Sequence, residues 1–270
     1  MSAEDADWVP PGVDTKRANP ARVYDYWLGG THNFLADQDT GRAILAVDPN
    51  VRALARFGRA SLRRAVRFLV DSGIRQFLDI GSGIPTEGNV HEIAQQAAPG
   101  SRVVYVDVDP VAVAHSQAIL SGNQNAAVVQ ADLREPEKIL TDDSTRRLID
   151  FSQPVGLLLS AVLHFIADEE DPWRIVAILR DALPAGSYLV VGHGTTSKDA
   201  LAQAATTVYN RNVSSGLHLR SREEILRFFD GFELVAPGLV NVPQWRPDSP
   251  QDVPSDPTQF WGLIGVGRKR

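Results

Sequence analysis

The stretch Phe77-Leu78-Asp79-Ile80-Gly81-Ser82-Gly83-Ile84-Pro85-Thr86 places a carboxylate two residues before a pair of glycines. A β-rich run, then glycines, then a helical pattern lets a ligand approach backbone amides near a helix N-terminus. Gly81 and Gly83 remove side chains where such a ligand would lie, Ser82 stands between them, and Pro85 suits a first helical turn. The same glycines could also serve a tight turn alone. No Gly-Lys-[Ser/Thr] follows, which excludes a P-loop, and Thr86 stands where a dinucleotide fingerprint wants its third glycine. Asp79 would repel a pyrophosphate and suits a ligand with a cationic end.

About 20 residues past this loop, Val104-Tyr105-Val106-Asp107-Val108-Asp109-Pro110 ends a second β-rich run in acid. A carboxylate at that tip can accept hydrogen bonds from both hydroxyls of a ribose. Asp107 and Asp109 point the same way by period-two alternation, so either could act; Asp107 is the preferred one, and Asp109-Pro110 reads as a helix cap. A third tip, Gln130-Ala131-Asp132-Leu133, pairs a carboxylate that can accept from an exocyclic amine with a backbone N–H that can donate to a ring nitrogen. After the fourth run, Ser160 and His164 should border the reacting centre. His164 is the candidate general base, with structural packing as the other reading; His193 is placed similarly but offers less.

The elements needed to bring these tips together are legible. From Gln76 onward, short β-rich runs (77–80, 102–107, 127–130, 155–160, 187–191) alternate with helical stretches near 86–98, 111–120, 136–149 and 171–183. That alternation predicts right-handed βαβ units and a parallel sheet covered on both faces. A helix near 198–209 follows, and Ser221-Arg222-Glu223-Glu224 is a capping box for one ending at Phe229. Runs at 232–235 and 260–266 have only a proline-rich connection between them and should pair antiparallel, leaving 268–270 frayed. Before the sheet, Val51, Leu54, Ala55, Leu62, Ala65, Val66 and Leu69 define a helix within 49–72, and its arginines (Arg52, Arg56, Arg59, Arg63, Arg64, Arg67) read as a solvated face. The expected division is a loose arm over 1–18, a helical cap or lid over 19–72 and a core over 73–270.

Composition narrows the chemistry. The 270 residues contain no cysteine, so a disulfide framework, a thiolate zinc site and a cysteine nucleophile are excluded, and no metal is called for. A formal net charge of −6 removes bulk attraction to phosphate, which makes nucleic acid an unfavoured partner. No apolar stretch approaches the roughly 20 residues of a membrane span, and the acidic start is unlike a secretory signal, so no membrane partner and a cytoplasmic location are expected.

With these residues in view, the chain resembles the class I S-adenosylmethionine-dependent methyltransferases over about 75–268. More narrowly it resembles the actinobacterial S-adenosyl methyltransferase family, formerly a domain of unknown function. The resemblance is carried by Asn19-Pro20-Ala21-Arg22-Val23-Tyr24-Asp25-Tyr26-Trp27-Leu28-Gly29-Gly30, His32-Asn33-Phe34, the glycine loop, Asn89-Val90-His91-Glu92 and Val103-Val104-Tyr105-Val106-Asp107. It implies a Rossmann-like, doubly wound α/β fold, with a mostly parallel seven-stranded sheet, an antiparallel last strand and an N-terminal helical cap. It implies S-adenosylmethionine as cofactor. By position it assigns Asp79, Gly81, Ser82 and Gly83 to the cofactor loop, Asp107 to the ribose, Asp132 and Leu133 to adenine, and Ser160 to the methionine moiety. Pro85 departs from members with a third glycine there.

Within the cap, Tyr24, Tyr26 and Trp27 beside a possible Gly29-Gly30 hinge could place aromatic faces near a sulfonium or could simply pack. Tyr26 and Asn33 are the residues chosen there to touch cofactor or acceptor. The expected reaction is methyl transfer to a small-molecule acceptor. A non-catalytic S-adenosylmethionine-binding module and an NAD-dependent dehydrogenase are the other readings. The closing hairpin leaves a homodimer open.

Overall fold

The computed structural model describes residues 9–85, 88–196, 200–213 and 215–270. One sheet is built from β1 (Gln76–Ile80), β2 (Arg102–Asp107), β3 (Ala126–Gln130), β4 (Gly156–Ser160), β5 (Tyr188–Gly194), β6 (Phe232–Leu234), β7 (Val240–Asn241) and β8 (Gly262–Lys269). The strand order is β3-β2-β1-β4-β5-β8-β6, with β7 paired alongside β8. β1 to β5 are mutually parallel, and β8 runs antiparallel to β5, β6 and β7. The expected seven-strand path is therefore present. The two-residue β7, just before the proline-rich connection, is additional, too short to show an alternation.

The helices are α1 (Pro20–Leu28), α2 (Leu35–Val47), α3 (Val51–Asp71), α4 (Val90–Ala97), α5 (Pro110–Ile119), α6 (Pro136–Thr141), α7 (Asp143–Leu148), α8 (Pro172–Asp181), α9 (Ala200–Asn212) and α10 (Arg222–Leu226). Local chemistry sets their ends. The Asn19 side chain accepts from the Ala21 N–H at 2.8 Å, Pro20 opens α1, and Gly29 closes it with φ +87°. Ser221 and Glu224 exchange side-chain-to-backbone bonds at 3.2 and 2.7 Å to start α10, as the capping box predicts. The stretch expected as one helix over 136–149 is two, because Asp142 turns its carboxylate back to the N–H groups of Ser144 and Thr145 and caps a new start. The helix expected from Thr86 begins at Val90, so Pro85 lies in the loop and not in a first turn. Thr86 itself lies outside the described residues, as do Lys198 and the acidic Ser2–Asp7 segment.

Alternation across the pleat explains the two main core layers. Leu78, Val104, Leu157 and Leu189 face α6, α7 and α8 with Phe228, whereas Phe77, Val103, Leu158 and Val190 face α3, α4 and Trp245. α3 belongs to both cap and core. Its first turns join a third apolar cluster with Val23, Trp27, Ile44 and Tyr209, and its last turns cover the sheet. Its arginines divide in the same way. Arg52, Arg56, Arg63 and Arg67 are exposed as expected, but the Arg64 Nε–H donates to the Trp245 carbonyl at 2.8 Å and Arg59 turns inward.

Of the two segments expected to be loose, residues 9–18 and 268–269 are tied down. Val9 and Val13 pack against the cluster of Phe34, Ile84 and Val111, and Ala18 bridges to Val213. At the other end β8 continues through Lys269, whose ammonium donates to the carbonyls of Arg180 and Leu183 at 2.7 and 2.6 Å.

Candidate functional site

A cavity of about 440 Å³ lies between the carboxyl ends of β1, β2, β4 and β5 and the helices α1, α3 and α9. Such a volume lies within the roughly 300–1,000 Å³ that encloses a small-molecule ligand. Asp79, Gly81, Ser82, Gly83, Asp107, Asp109, Asp132, Leu133, Ser160 and His164 all line it. Residues scattered over 86 positions of sequence are thus gathered by one sheet edge.

The glycine loop is held by β2. Gly81 and Ser82 donate their N–H groups to the Val106 carbonyl at 2.8 and 3.2 Å, and the Gly83 N–H donates to Asp107 Oδ2 at 2.7 Å. The two glycines answer different needs. Both have positive φ, +74° and +67°, but a Cβ on Gly81 would stand 2.3 Å from Val162 Cγ2, whereas one on Gly83 meets nothing within 4 Å. Close approach at Gly81 is therefore by the chain's own Val162, and open space lies at Gly83. The Ser82 hydroxyl is buried and has no hydrogen-bond partner among the described residues.

Burial dominates the acids. It pushes the Asp79 carboxyl up to about 7, against the pull of the Arg59 guanidinium and with a further push from Asp107. Burial also raises Asp107, to about 6, although the amides of Asp109 and Gly83 stabilise its charged form. Asp109 accepts from the Val111 N–H at 2.9 Å and so caps α5 as expected, while Arg22 on α1 stands 3.9 Å from its other oxygen and 3.4 Å from Asp37 of α2. Asp132 turns to its own loop, accepting from the Arg134 N–H at 2.9 Å and from its guanidinium, which also grips Glu170.

Beyond β4, Ala161 adopts φ +60° and donates to the Gly192 carbonyl at 2.8 Å, bringing Ser160 beside β5. His164 Nδ1 accepts from the Gly194 N–H at 3.2 Å, so its neutral ring carries hydrogen on Nε2. Burial, with the charges of His193 and Arg220, holds its pKa well below the ordinary value. In that arrangement the ring presents an Nε2–H donor. His193 is likewise engaged, through the Gly194 carbonyl at 2.6 Å and Arg220 at 3.0 Å, and burial lowers its pKa to about 3.

Tyr26 and Asn33 do not line the cavity. At 100° per residue, Tyr24 faces inward and Tyr26 faces away, where its ring covers Gly41 and lies 5.6 Å from the Arg52 guanidinium. Asn33 instead binds the loop after α1, donating to Asp25 Oδ2 at 2.7 Å and to the Gly30 carbonyl at 2.9 Å. Gly30 is packed so tightly on Asp25 that a Cβ would fall 1.9 Å from its carboxylate, so the Gly-Gly pair is a closed cap rather than an open hinge.

Four positions at or beside the cavity escaped the sequence reading: Asp25, Arg59 and Tyr209, which line it, and Arg220. Arg59 carried a signal, since it interrupts the apolar stripe Ala55–Leu62–Val66 at helical spacing. Arg220 carried none. It is 2% exposed and binds Asp168, His193 and the carbonyls of Leu163 and Ile166, fixing the segment after β4.

Sheet order, with the glycine loop and acidic strand tips gathered at its carboxyl edge, defines a Rossmann-like protein. The particular family follows from comparison with known proteins: the family model described as S-adenosyl methyltransferase matches residues 6–270, and the chain belongs to that family. It is accordingly an S-adenosylmethionine-dependent methyltransferase. The crystal structure of a candidate methyltransferase from Thermobifida fusca is 41% identical, with 98% of this chain and 100% of that chain covered and a TM-score of 0.93. A DUF574 family protein from Streptomyces avermitilis is 39% identical over 95% of this chain and 99% of that one, with a TM-score of 0.91. The mitomycin 7-O-methyltransferase MmcR, 17% identical over 100% of this chain and 76% of that one at a TM-score of 0.50, shares the fold alone. A comparison with curated proteins gives no match.

The lining suits this cofactor. Asp79 can meet a positively charged end, the unpartnered Ser82 hydroxyl and the space at Gly83 lie on the loop, and Asp107 retains acceptor capacity because a carboxylate offers about four lone-pair sites. Among the described residues, no helix is long and apolar enough to cross a membrane.

Proposed function

We propose that this chain methylates a small-molecule acceptor in the cytoplasm of an actinobacterium, holding adenosine along Asp107, Asp132 and Leu133 and the methionine end near Asp79, Gly81, Ser82, Gly83 and Ser160. The observation that carries the reading is the convergence of those residues on one cavity whose other wall is apolar and aromatic. The bound cofactor supplies a methyl group on an activated sulfonium, which departs leaving a neutral thioether.

The protein's own part is then to orient and to exclude water. Asp107 fixes the loop through Gly83 and has lone pairs left for a diol. The cap closes the cavity on one side through Tyr24, whose hydroxyl donates to the Ala55 carbonyl at 2.9 Å, and Trp27, whose ring N–H donates to the Gly41 carbonyl at 3.3 Å. His164 acts in positioning, because its Nδ1 is already taken. Tyr26 and Asn33 support the cap from behind. The homodimer finds little support: β8 is paired on both flanks, and among the described residues only the short β6 and β7, of three and two residues, present an edge there.

Calorimetric titration with S-adenosylmethionine, with NAD as control, tests the assignment. S-adenosylmethionine should bind the native chain and NAD should not. Asp107→Ala combined with Asp132→Ala should weaken binding by about 10²-fold or more, given about 1.5–3 kcal/mol per hydrogen bond to a charged group. Unchanged affinity in a folded double variant overturns it.

A further inference from the structure

The residues around the cavity fall into two chemically distinct sets. Toward β1, β2 and β3 lie the acids and the glycine loop. Elsewhere Trp27, Phe165, Leu217 and Trp261 line it, and they belong to the apolar cluster that α1, α3 and α9 form with the chain beyond β4. Tyr209 of α9 is stacked on Phe165, with ring centroids 6.1 Å apart.

Within this apolar portion two polar atoms are left over. The Tyr209 hydroxyl and Ser215 Oγ are buried, line the cavity and have no hydrogen-bond partner among the described residues. Buried polar groups without partners are costly and rare, about 1–3 kcal/mol each, and one that lines a cavity marks where a ligand atom completes the bond. Tyr209 is only 4% exposed, so bulk solvent does not serve it. Burial, with the Asp37 charge, raises its pKa, so the phenol keeps its proton and can donate.

Charge narrows the ligand further. Asp25, Asp79, Asp107, Asp109 and Asp132 line the cavity against Arg59 and Arg134. Arg134 is bound to Asp132 and Glu170, and Arg59 acts on Asp79. An anionic acceptor would enter a field of carboxylates with no cation left to receive it.

Resting on the reading of this cavity as the joint donor and acceptor site, we infer that the acceptor is an uncharged, flat and largely apolar molecule that packs against Trp27, Phe165 and Trp261 and presents an oxygen or ring nitrogen to the hydroxyls of Tyr209 and Ser215. Aromatic walls favour ring systems through area and edge or face contact. The two hydroxyls fix the ring's orientation, which is what methyl transfer to a single atom needs.

The test uses the full chain saturated with S-adenosylhomocysteine and titrated by calorimetry with three bicyclic probes: 2-naphthol and coumarin, which are neutral, and 2-naphthoate, which is anionic. Both neutral probes should bind and the anion should bind at least about tenfold more weakly, a difference of about 1.4 kcal/mol. Tyr209→Phe should weaken both neutral probes about 3- to 10-fold while S-adenosylhomocysteine affinity holds, and Ser215→Ala should act in the same direction. The unfolding midpoint separates this role from a structural one. Removing an unpartnered hydroxyl leaves the ligand-free midpoint unchanged or raised, whereas a hydroxyl needed for packing would lower it. Equal probe affinity in both variants, tighter binding of 2-naphthoate, or no binding of either neutral probe to the loaded protein overturns the inference alone. Failure of S-adenosylhomocysteine to bind overturns the underlying site reading and the inference with it.

Discussion

The Gly83 amide and the Asp107 carboxylate meet at 2.7 Å, joining the loop after β1 to the tip of β2. The bond makes loop shape and β2-tip charge a single property. Asp107 cannot change protonation without changing the grip on Gly83.

That coupling has a pH signature. Burial raises Asp79 to about 7 and Asp107 to about 6, above the ordinary carboxylate value of 3.8. Between about pH 4 and 7 the folded state therefore holds more protons than the unfolded chain, so these two groups favour folding at the acid end and lose that contribution as pH rises through their folded values. Buried neutral His164 and His193 act in the opposite sense, so the readout is a difference: the urea midpoint of the ligand-free native chain relative to that of Asp79→Asn should fall from pH 5 to pH 7.5. Affinity for the cationic S-adenosylmethionine should move the opposite way, tightening as the carboxylates ionise. A native-minus-variant midpoint difference that grows with pH, or binding that weakens over the same range, would contradict this.

At Gly81 the demand is steric as well as conformational. Gly81→Ala sets a Cβ 2.3 Å from Val162 Cγ2 at φ +74°, and Gly83→Ala adds only the φ penalty. We expect losses of about 2–4 kcal/mol and about 1–2 kcal/mol respectively in denaturant unfolding. Val162→Ala in the Gly81→Ala background should recover part of the first loss and none of the second.

Arg220→Met removes a buried cation from two carbonyls and His193 Nε2. Breaking a buried charged network in this way costs about 3–5 kcal/mol; half-exposed Asp168 can rehydrate, so a value near the lower end is expected. Because the freed segment carries Ser160 to Ile166, S-adenosylmethionine affinity should fall along with thermal stability, and calorimetry reads both.

Much of the fold was legible in the sequence because its signals are local. Alternating β-rich and helical runs define β1 to β5, Asp109-Pro110 caps α5, and Ser221 with Glu224 starts α10. The acidic tips were legible for the same reason: a strand's last residues must point out of its carboxyl end. What escaped depends on neighbours far away in the chain. Arg59 reaches the cavity only because α3 packs over the sheet and brings it to Asp79, and Tyr209 only because α9 folds back on the segment after β4. Tyr26 and Asn33 were chosen for their chemistry, and helix phase turned one outward while Asp25 claimed the other. Nothing local to the 268–270 segment indicates that Lys269 would be captured by the carbonyls ending α8.

The Trp261 indole N–H donates to Asp48 Oδ2 at 2.9 Å across 213 residues, just before β8 enters between β5 and β6. During synthesis the chain emerges from its N-terminus, so β5 waits with a bare edge, and the joint between α2 and α3 without its indole, until residues 261–269 have left the ribosome. For that interval the nascent protein carries an open, apolar strand edge, the kind of surface that recruits holding chaperones or pairs with a neighbouring chain.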